Sequence, residues 1–373
     1  MLQHIGTYRC QVQRRQHSCS VRLAPSLHVH TNARALETCG ATSFRSLKGL
    51  QEMMGQPYQG VLLDQFGVLH DGRKPYSGAI EAVRRLHDQG LLLFIISNSS
   101  RRASGTIGKL ASMGFPAHCF KGALTSGEMA HRCLALRPSP WWQALGHRVL
   151  HLTWSGRGPV SLQGLGLQVV AEPEEADFIL AHGTEALALP APAPATDHSQ
   201  IHGQQSQGSA TQPSPPPCLE LELEGFEALL ARCAEVGRAR GAPLPMVVAN
   251  PDLVTVDGSA LITMPGTLAA MYSKLGGEVQ LLGKPAALIY QACLEELGLE
   301  PAQVLAVGDS LEHDIRGAAA AGIHSLFIGG GIHADRVLRS VPGAAPELNA
   351  SELQELCREQ GAWPEYAMPY MAW

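Results

Sequence analysis

Short apolar runs alternate with amphipathic stretches along most of this chain. Ser77–Gln89 carries Ile80, Val83 and Leu86 on one stripe and Arg84, Arg85 and Asp88 opposite, the 3.6-residue period of a surface helix. Arg101–Met113 reads as a second helix stopped by Gly114, and Pro285–Leu297 as a third stopped by Gly298. Alanine-rich His313–Ala321 stops at Gly322, just before an apolar strand at Ser325–Ile328. Strands that alternate with helices predict an α/β fold with a doubly wound parallel sheet of the Rossmann-like kind.

Four apolar runs end in polar residues. Gly60-Val-Leu-Leu meets Asp64, Ile95-Ile meets Ser97-Asn98-Ser99-Ser100, Leu281-Leu-Gly meets Lys284, and Val304-Leu-Ala-Val-Gly meets Asp309, with Asp314 five positions on. Ligands bind beyond the carboxyl ends of strands in open parallel sheets, so an Asp at such an end reads as a nucleophile, a metal ligand or both. A lone strand-end Asp more often caps a turn. Four such ends in this order fit one concave phosphate and metal site.

Spacing divides the chain. From Asp64 to Ser97 is 33 residues, the length of a strand, a crossover helix and the next strand. From Ser97 to Lys284 is 187 residues, room for a complete inserted domain. Within that gap Arg148–Thr153, Leu167–Ala171, Phe178–Ala181 and Met246–Ala249 read as strands and Phe226–Arg240 as a helix. The expected division is a leader (1–50), a core (51–124 and 264–345), an inserted α/β cap (125–263) and a C-terminal tail (346–373). The stretch Trp363–Trp373, with Tyr366 and Tyr370, is expected to pack back onto a domain or a neighbouring subunit. Residues 186–218, rich in Pro, Ala, Gln and Ser, bury too little to offset their ordering entropy and read as a disordered insert in the cap.

On these motifs the chain resembles the haloacid dehalogenase superfamily, in the class IIA group whose large C2-type cap lies between the second and third motifs. The resemblance covers roughly residues 58 to 335. It implies an Mg²⁺-dependent phosphatase acting on a small phosphorylated metabolite, with Asp64 as the nucleophile that forms an aspartyl-phosphate. It implies metal ligation by Asp64, Asp309, Asp314 and the backbone carbonyl of Phe66. Ser97, Asn98, Ser99 and nearby amides would hold the phosphate, with help from the dipole of the helix that starts at Arg101. Lys284 would bind both nucleophile and phosphate. Asn250, in Ala249-Asn250-Pro251-Asp252, matches a stretch near the cap–core junction of the same group, although an ordinary Asn-Pro turn fits it equally. Caps of this group often mediate dimers, and their motion gates substrate entry.

One position departs from the pattern. Phosphatases of the superfamily carry a second Asp two residues after the nucleophile, which protonates the leaving group, and this chain has Phe66. His70 and Asp71 are the substitutes at hand, and a turn role suits both. An aromatic residue here is what the superfamily's true dehalogenases have, which opens a metal-independent 2-haloacid dehalogenase as an alternative. Retention of Asp309 and Asp314 argues for the metal instead. A third reading is a weakly active protein that binds a phosphometabolite.

Composition narrows the field further. Of 373 residues 45% are hydrophobic, ample for two cores, and the net charge of −5 argues against a broad nucleic-acid surface. No apolar run approaches the roughly 20 residues of a membrane span. The nine Cys are scattered without a C-x-x-C, which favours reduced thiols. Residues 1–36 hold five Arg and no Asp or Glu, the composition of an organellar transit peptide (plastid or mitochondrion), with the cytoplasm as the alternative. Trp141, Trp142 and Trp154 fall in the expected cap, either as an aromatic substrate wall or, more often for tryptophan, as packing.

Overall fold

Apolar runs too short for helices pair as parallel strands and are covered on both faces. The computed structural model describes residues 43–156, 160–191, 217–257 and 260–373. Residues 1–42 of the expected leader, with its transit-peptide composition, lie outside them, as does most of the low-complexity insert; the end of that leader belongs to the core instead, since Arg45–Ser46 pairs in its sheet and Leu47 and Leu50 are buried. Strands β1 (Arg45–Ser46), β2 (Gly60–Leu63), β3 (Leu92–Ser97) and β4 (Phe120–Thr125) enter the core. The chain then builds the cap with β5 (Arg148–Thr153), β6 (Gln168–Val169), β7 (Phe178–Ala181), β8 (Ala186–Ala188), β9 (Cys218–Glu220) and β10 (Pro245–Val248). A hairpin of β11 (Val254–Asp257) and β12 (Ala260–Thr263) precedes β13 (Glu278–Leu281). The return to the core brings β14 (Val304–Gly308) and β15 (His324–Ile328), a small hairpin of β16 (Leu338–Arg339) and β17 (Glu347–Leu348), and β18 (Tyr366–Met368).

The core sheet has seven parallel strands in the order β1-β18-β15-β14-β2-β3-β4. The doubly wound α/β core with its inserted α/β cap is therefore the fold. Asp64, Asp309 and Ser97 fall at the carboxyl ends of three neighbouring strands, β2, β14 and β3.

Two segments lie elsewhere than their sequence pattern placed them, and a third, the C-terminal stretch, packs back onto the core as expected. Lys284 does not follow a core strand: β13 pairs with β10 as the edge of the cap sheet, and the chain enters the core only after it. The cap sheet thus runs past residue 263. The reason is visible in Glu278-Val-Gln-Leu, which alternates polar and apolar as an edge strand does, with Leu281 itself exposed. The ends of the 186–218 insert are ordered, since Ala186–Ala188 is a buried strand paired antiparallel to Cys218–Glu220. The C-terminal tail supplies β18 to the core sheet, with the helix Ala350–Gln360 packed nearby through Leu353 and Cys357.

Cap and core share a packed layer. One apolar cluster joins Leu62, Phe94 and Ile96 of the core sheet to Val149, Phe178 and Val247 of the cap, through Met129 and Cys133 on the helix Ser126–Leu136. Any opening of the cap has to part this layer. Among the described residues no helix is long and apolar enough to cross a membrane.

Candidate active site

Three carboxylates and one ammonium meet at the carboxyl ends of β2 and β14. Asp64, Asp309 and Asp314 are buried, and each offers an oxygen within 4.8 Å of the others. Lys284, 3% exposed, places Nζ 2.8 Å from Asp64 Oδ1 and 2.7 Å from Asp314 Oδ1. Glycines make the approach feasible. A Cβ at Gly308 would strike the Asp314 carboxyl, and one at Gly67 or Gly331 would strike that of Asp309. At Gly67 the backbone also has φ of +75°, which glycine adopts without strain.

Asp314 reaches back over Gly308 because the chain widens into a five-residue π turn at Leu311–Ile315. The helix expected from His313 begins there, two residues earlier. Tyr290 steadies the turn, its hydroxyl donating at 3.1 Å to the carbonyls of His313 and Asp314. Asp314 Oδ2 accepts from Ser310 N–H at 3.0 Å, and Asp309 Oδ2 from Ile332 N–H at 2.7 Å.

The electrostatics follow from crowding like charges out of water. Burial, with the Asp314 charge adding and Lys284 opposing, pushes the Asp64 carboxyl up to about 7. Burial and then the Asp64 and Asp314 charges hold Asp309 well above the usual carboxylate range. Burial works against the Lys284 ammonium, but Asp314 and Asp64 outweigh it and hold its proton tightly. Three carboxylates against one lysine leave a deficit of positive charge. An all-oxygen donor set of this size suits a hard divalent cation, so these residues fit the metal that the motifs imply.

In the loop after β3 the Asn98 side chain is engaged within the protein. The Asn98 side chain donates to Asp252 Oδ1 at 2.8 Å and to Lys284 O at 3.1 Å, and accepts from Lys284 N–H at 2.7 Å and Ser126 Oγ at 3.3 Å. Its amide is therefore occupied in fixing Lys284 and tying core to cap. Ser97 is buried and its Oγ accepts from Ser99 N–H, while Ser99 O accepts from Gly127 N–H. The helix expected from Arg101 starts only at Ser104. It is the helix from Ser126, capped by Thr125 Oγ1, whose start lies against Ser99. Arg102 is held by Glu128, Nε to Oε2 at 2.7 Å.

Asn250 makes the turn its sequence allowed, Oδ1 accepting from Asp252 N–H at 2.8 Å. Asp252, not singled out by sequence, faces both Asn98 and His313, whose Nδ1 is 3.4 Å away. Its only signal was the Asn-Pro-Asp stretch itself. Of the three tryptophans, Trp142 is core packing, Trp141 donates to Glu278 Oε1, and Trp154 crosses from the cap to donate to Ser100 Oγ at 3.2 Å. None forms a free aromatic wall.

The segment after the nucleophile settles the two substitute acids geometrically. Asp71 is exposed, accepts from the N–H groups of Arg73 and Lys74, and is held below its ordinary value by those bonds. His70 is fully buried, its Nδ1 accepting from Gly72 N–H at 2.9 Å. That bond leaves the proton on Nε2, which has no hydrogen-bond partner among the described residues. Burial, then the Lys109 charge, lowers it to about 4. Both are turn residues.

Known proteins share this arrangement of sequence and fold. A family model described as haloacid dehalogenase-like hydrolase matches residues 61–157, and another described as HAD-hydrolase-like matches residues 281–356. Chronophin of Mus musculus is 28% identical over 267 residues, 71% of this chain and 78% of that protein. Glycerol-3-phosphate phosphatase of Gallus gallus is 26% identical over 323 residues, 84% of this chain and 89% of that protein. Among solved structures, a haloacid dehalogenase-like hydrolase from Brucella suis 1330 superposes with a TM-score of 0.61 at 24% identity, over 87% of this chain and 100% of that one. The p-nitrophenyl phosphatase from Archaeoglobus fulgidus does so with 0.55 at 19% identity, over 84% and 96%.

Proposed function

The chain belongs to the haloacid dehalogenase superfamily, in the class IIA group, and on that premise we propose that it is an Mg²⁺-dependent phosphoric monoester hydrolase of a small phosphorylated metabolite. The observation that carries this reading is the buried meeting of Asp64 with Lys284, Asp309 and Asp314. Asp64 is the nucleophile, its carboxylate attacking phosphorus to form an aspartyl-phosphate that water then cleaves. Lys284 holds the attacking oxygen in place and offsets charge on the incoming phosphate. The amides of the Ser97–Ser100 loop bind the phosphate oxygens, and Asn98 and Asn250 act indirectly by fixing Lys284 and the junction turn. Mg²⁺ would sit on Asp64, Asp309, Asp314 and the Phe66 carbonyl, supplying charge neutralisation to the phosphoryl group when bound.

Relatives named as glycerol phosphate phosphatases support the substrate class. Phe66 would suit a metal-independent dehalogenase, but two further buried carboxylates beside the nucleophile would repel one another without a cation. Phosphate release from p-nitrophenyl phosphate, with and without Mg²⁺ and with Asp64→Asn as control, tests the proposal. Release that needs Mg²⁺ and vanishes in the variant is expected. Release that persists in Asp64→Asn would remove the nucleophile, and halide release from a 2-haloacid in a chelator would restore the dehalogenase.

A further inference from the structure

Two exposed apolar side chains border the carboxylate cluster. Phe66 is 43% exposed and Ile332 63%. Each is the chain neighbour of a glycine pressed against Asp309, Gly67 in one case and Gly331 in the other. Lys109 reaches over from the helix Ser104–Ser112, its Nζ 5.2 Å from the centre of the Phe66 ring. The ring is braced from behind: His70 meets it edge-on at 4.9 Å, and Gly72 leaves no space for a side chain beside it. The rim next to the nucleophile is thus an aromatic surface, fixed in place, with a cation over it.

The geometry points to a substrate whose phosphate is carried on an acidic oxygen, that of a carboxylic acid, an enol or a phenol, and whose departing group leaves as an anion beside Phe66 and Lys109. This deepens, and rests on, the phosphatase reading above. In the first step an Asp64 oxygen bonds to phosphorus, the bond from phosphorus to the leaving oxygen breaks, and the electron pair stays on that oxygen. No proton is transferred to it. In the second step water bonds to phosphorus, the bond to Asp64 breaks with its pair returning to the carboxylate, and a water proton passes to solvent. An acidic leaving group tolerates the first step, and the Lys109 charge favours it further. An alkoxide does not, because it needs a proton in the transition state and a phenyl ring has none to give. Glycerol-3-phosphate is therefore a poor substrate here, whatever it is for relatives named after it.

The test is a leaving-group series on the full-length protein in Mg²⁺: acetyl phosphate, aryl phosphates of rising phenol pKa, and glycerol-3-phosphate. The expected result is kcat/KM falling steeply as leaving-group pKa rises, with glycerol-3-phosphate roughly 10²-fold or more below p-nitrophenyl phosphate. Phe66→Asp should flatten the slope, raising glycerol-3-phosphate turnover by roughly 10²–10⁴-fold. Lys109→Met should lower kcat/KM on aryl phosphates about tenfold, a loss that shrinks with added salt. Equal rates on glycerol-3-phosphate and aryl phosphates in the unaltered protein would overturn the inference and leave the phosphatase standing. No turnover of any member, acetyl phosphate included, would overturn both. Because the slope is read on the unaltered chain, it does not depend on either variant folding.

Discussion

Replacing Lys284 by methionine removes one positive charge from a place where three carboxylates already crowd. Lys284 is 3% exposed, with Asp64 and Asp314 oxygens 2.8 and 2.7 Å from Nζ. Methionine fills nearly the same volume, so the loss is electrostatic and leaves no large cavity. Removing one partner of a buried ion pair typically costs about 3–5 kcal/mol. Asp64 can soften that cost by taking up a proton. Its carboxyl, raised by burial to about 7 even with Lys284 opposing, rises further once the lysine is gone. The expected loss is therefore at the lower end, about 3 kcal/mol. At roughly 1–2 °C per kcal/mol for a chain of 373 residues, the midpoint falls by about 3–6 °C. Scanning calorimetry of both proteins in EDTA measures it, and repeating the scans in Mg²⁺ adds a second reading. A bound divalent cation supplies the missing charge, so the gap should narrow. Equal midpoints in EDTA, or a gap indifferent to Mg²⁺, would refute the view that Lys284 neutralises this cluster.

Other expectations follow from the same geometry. Phe66 can neither give a proton to the leaving group nor take one from the attacking water, so the second chemical step is slow too. Stopped-flow with p-nitrophenyl phosphate should show a burst of p-nitrophenolate equal to the enzyme concentration, absent in Phe66→Asp. Gly331→Ala puts a methyl group onto the Asp309 carboxyl and should raise the Mg²⁺ concentration for half-maximal activity by roughly 10–100-fold, as shifts around metal ligands typically do; titration of activity against Mg²⁺ checks it. In the cap, His151 Nε2 and His182 Nδ1 lie 2.9 Å apart and fully buried. Burial lowers His151 to about 4 and His182 well below its ordinary 6.5. The unfolded imidazoles bind protons below 6.5 and the folded ones do not, so this contribution to stability is present above 6.5 and lost as pH falls toward 4. It amounts to up to about 1.4 kcal/mol per pH unit for each histidine. Urea midpoints at pH 7 and pH 5 should therefore diverge less when both are replaced by glutamine than in the unaltered protein.

The site was legible where it lies on strands and illegible where it lies between them. Asp64, Ser97 and Asp309 end runs that are apolar on both faces, which only a buried parallel strand requires, and the cap strands β5 and β7 announced themselves in the same way. Lys284 was placed beside the right carboxylates and given the wrong strand, because Leu281-Leu282 is too short a run to tell an edge of one sheet from the middle of another. β18 is three residues long, below any period that a pattern can reveal. The hairpin bases Ala186–Ala188 and Cys218–Glu220 were hidden by the composition of the insert between them. Asn98 shows a deeper limit: its type and place fit a phosphate loop, while its use depends on Lys284 and Asp252, 186 and 154 positions away. The pairing of His151 with His182 has no sequence signal either, since a single histidine on an apolar strand reads as core.

Charge balance gives the proposed hydrolase an order of events. Without a divalent cation the cluster has three carboxylates against one lysine, and it relieves that imbalance by holding protons, Asp64 up to about 7 and Asp309 well above the usual range. A protonated Asp64 is a poor nucleophile, and an ionised cluster would repel a phosphate dianion. A divalent cation held by this donor set would remove both obstacles at once, since it would favour the ionised carboxylates and bring the charge of the cluster from −2 to zero. Productive binding of phosphate therefore comes after the cation. In the opposite order the anion would meet either a neutral acid that cannot attack or a negative surface that excludes it.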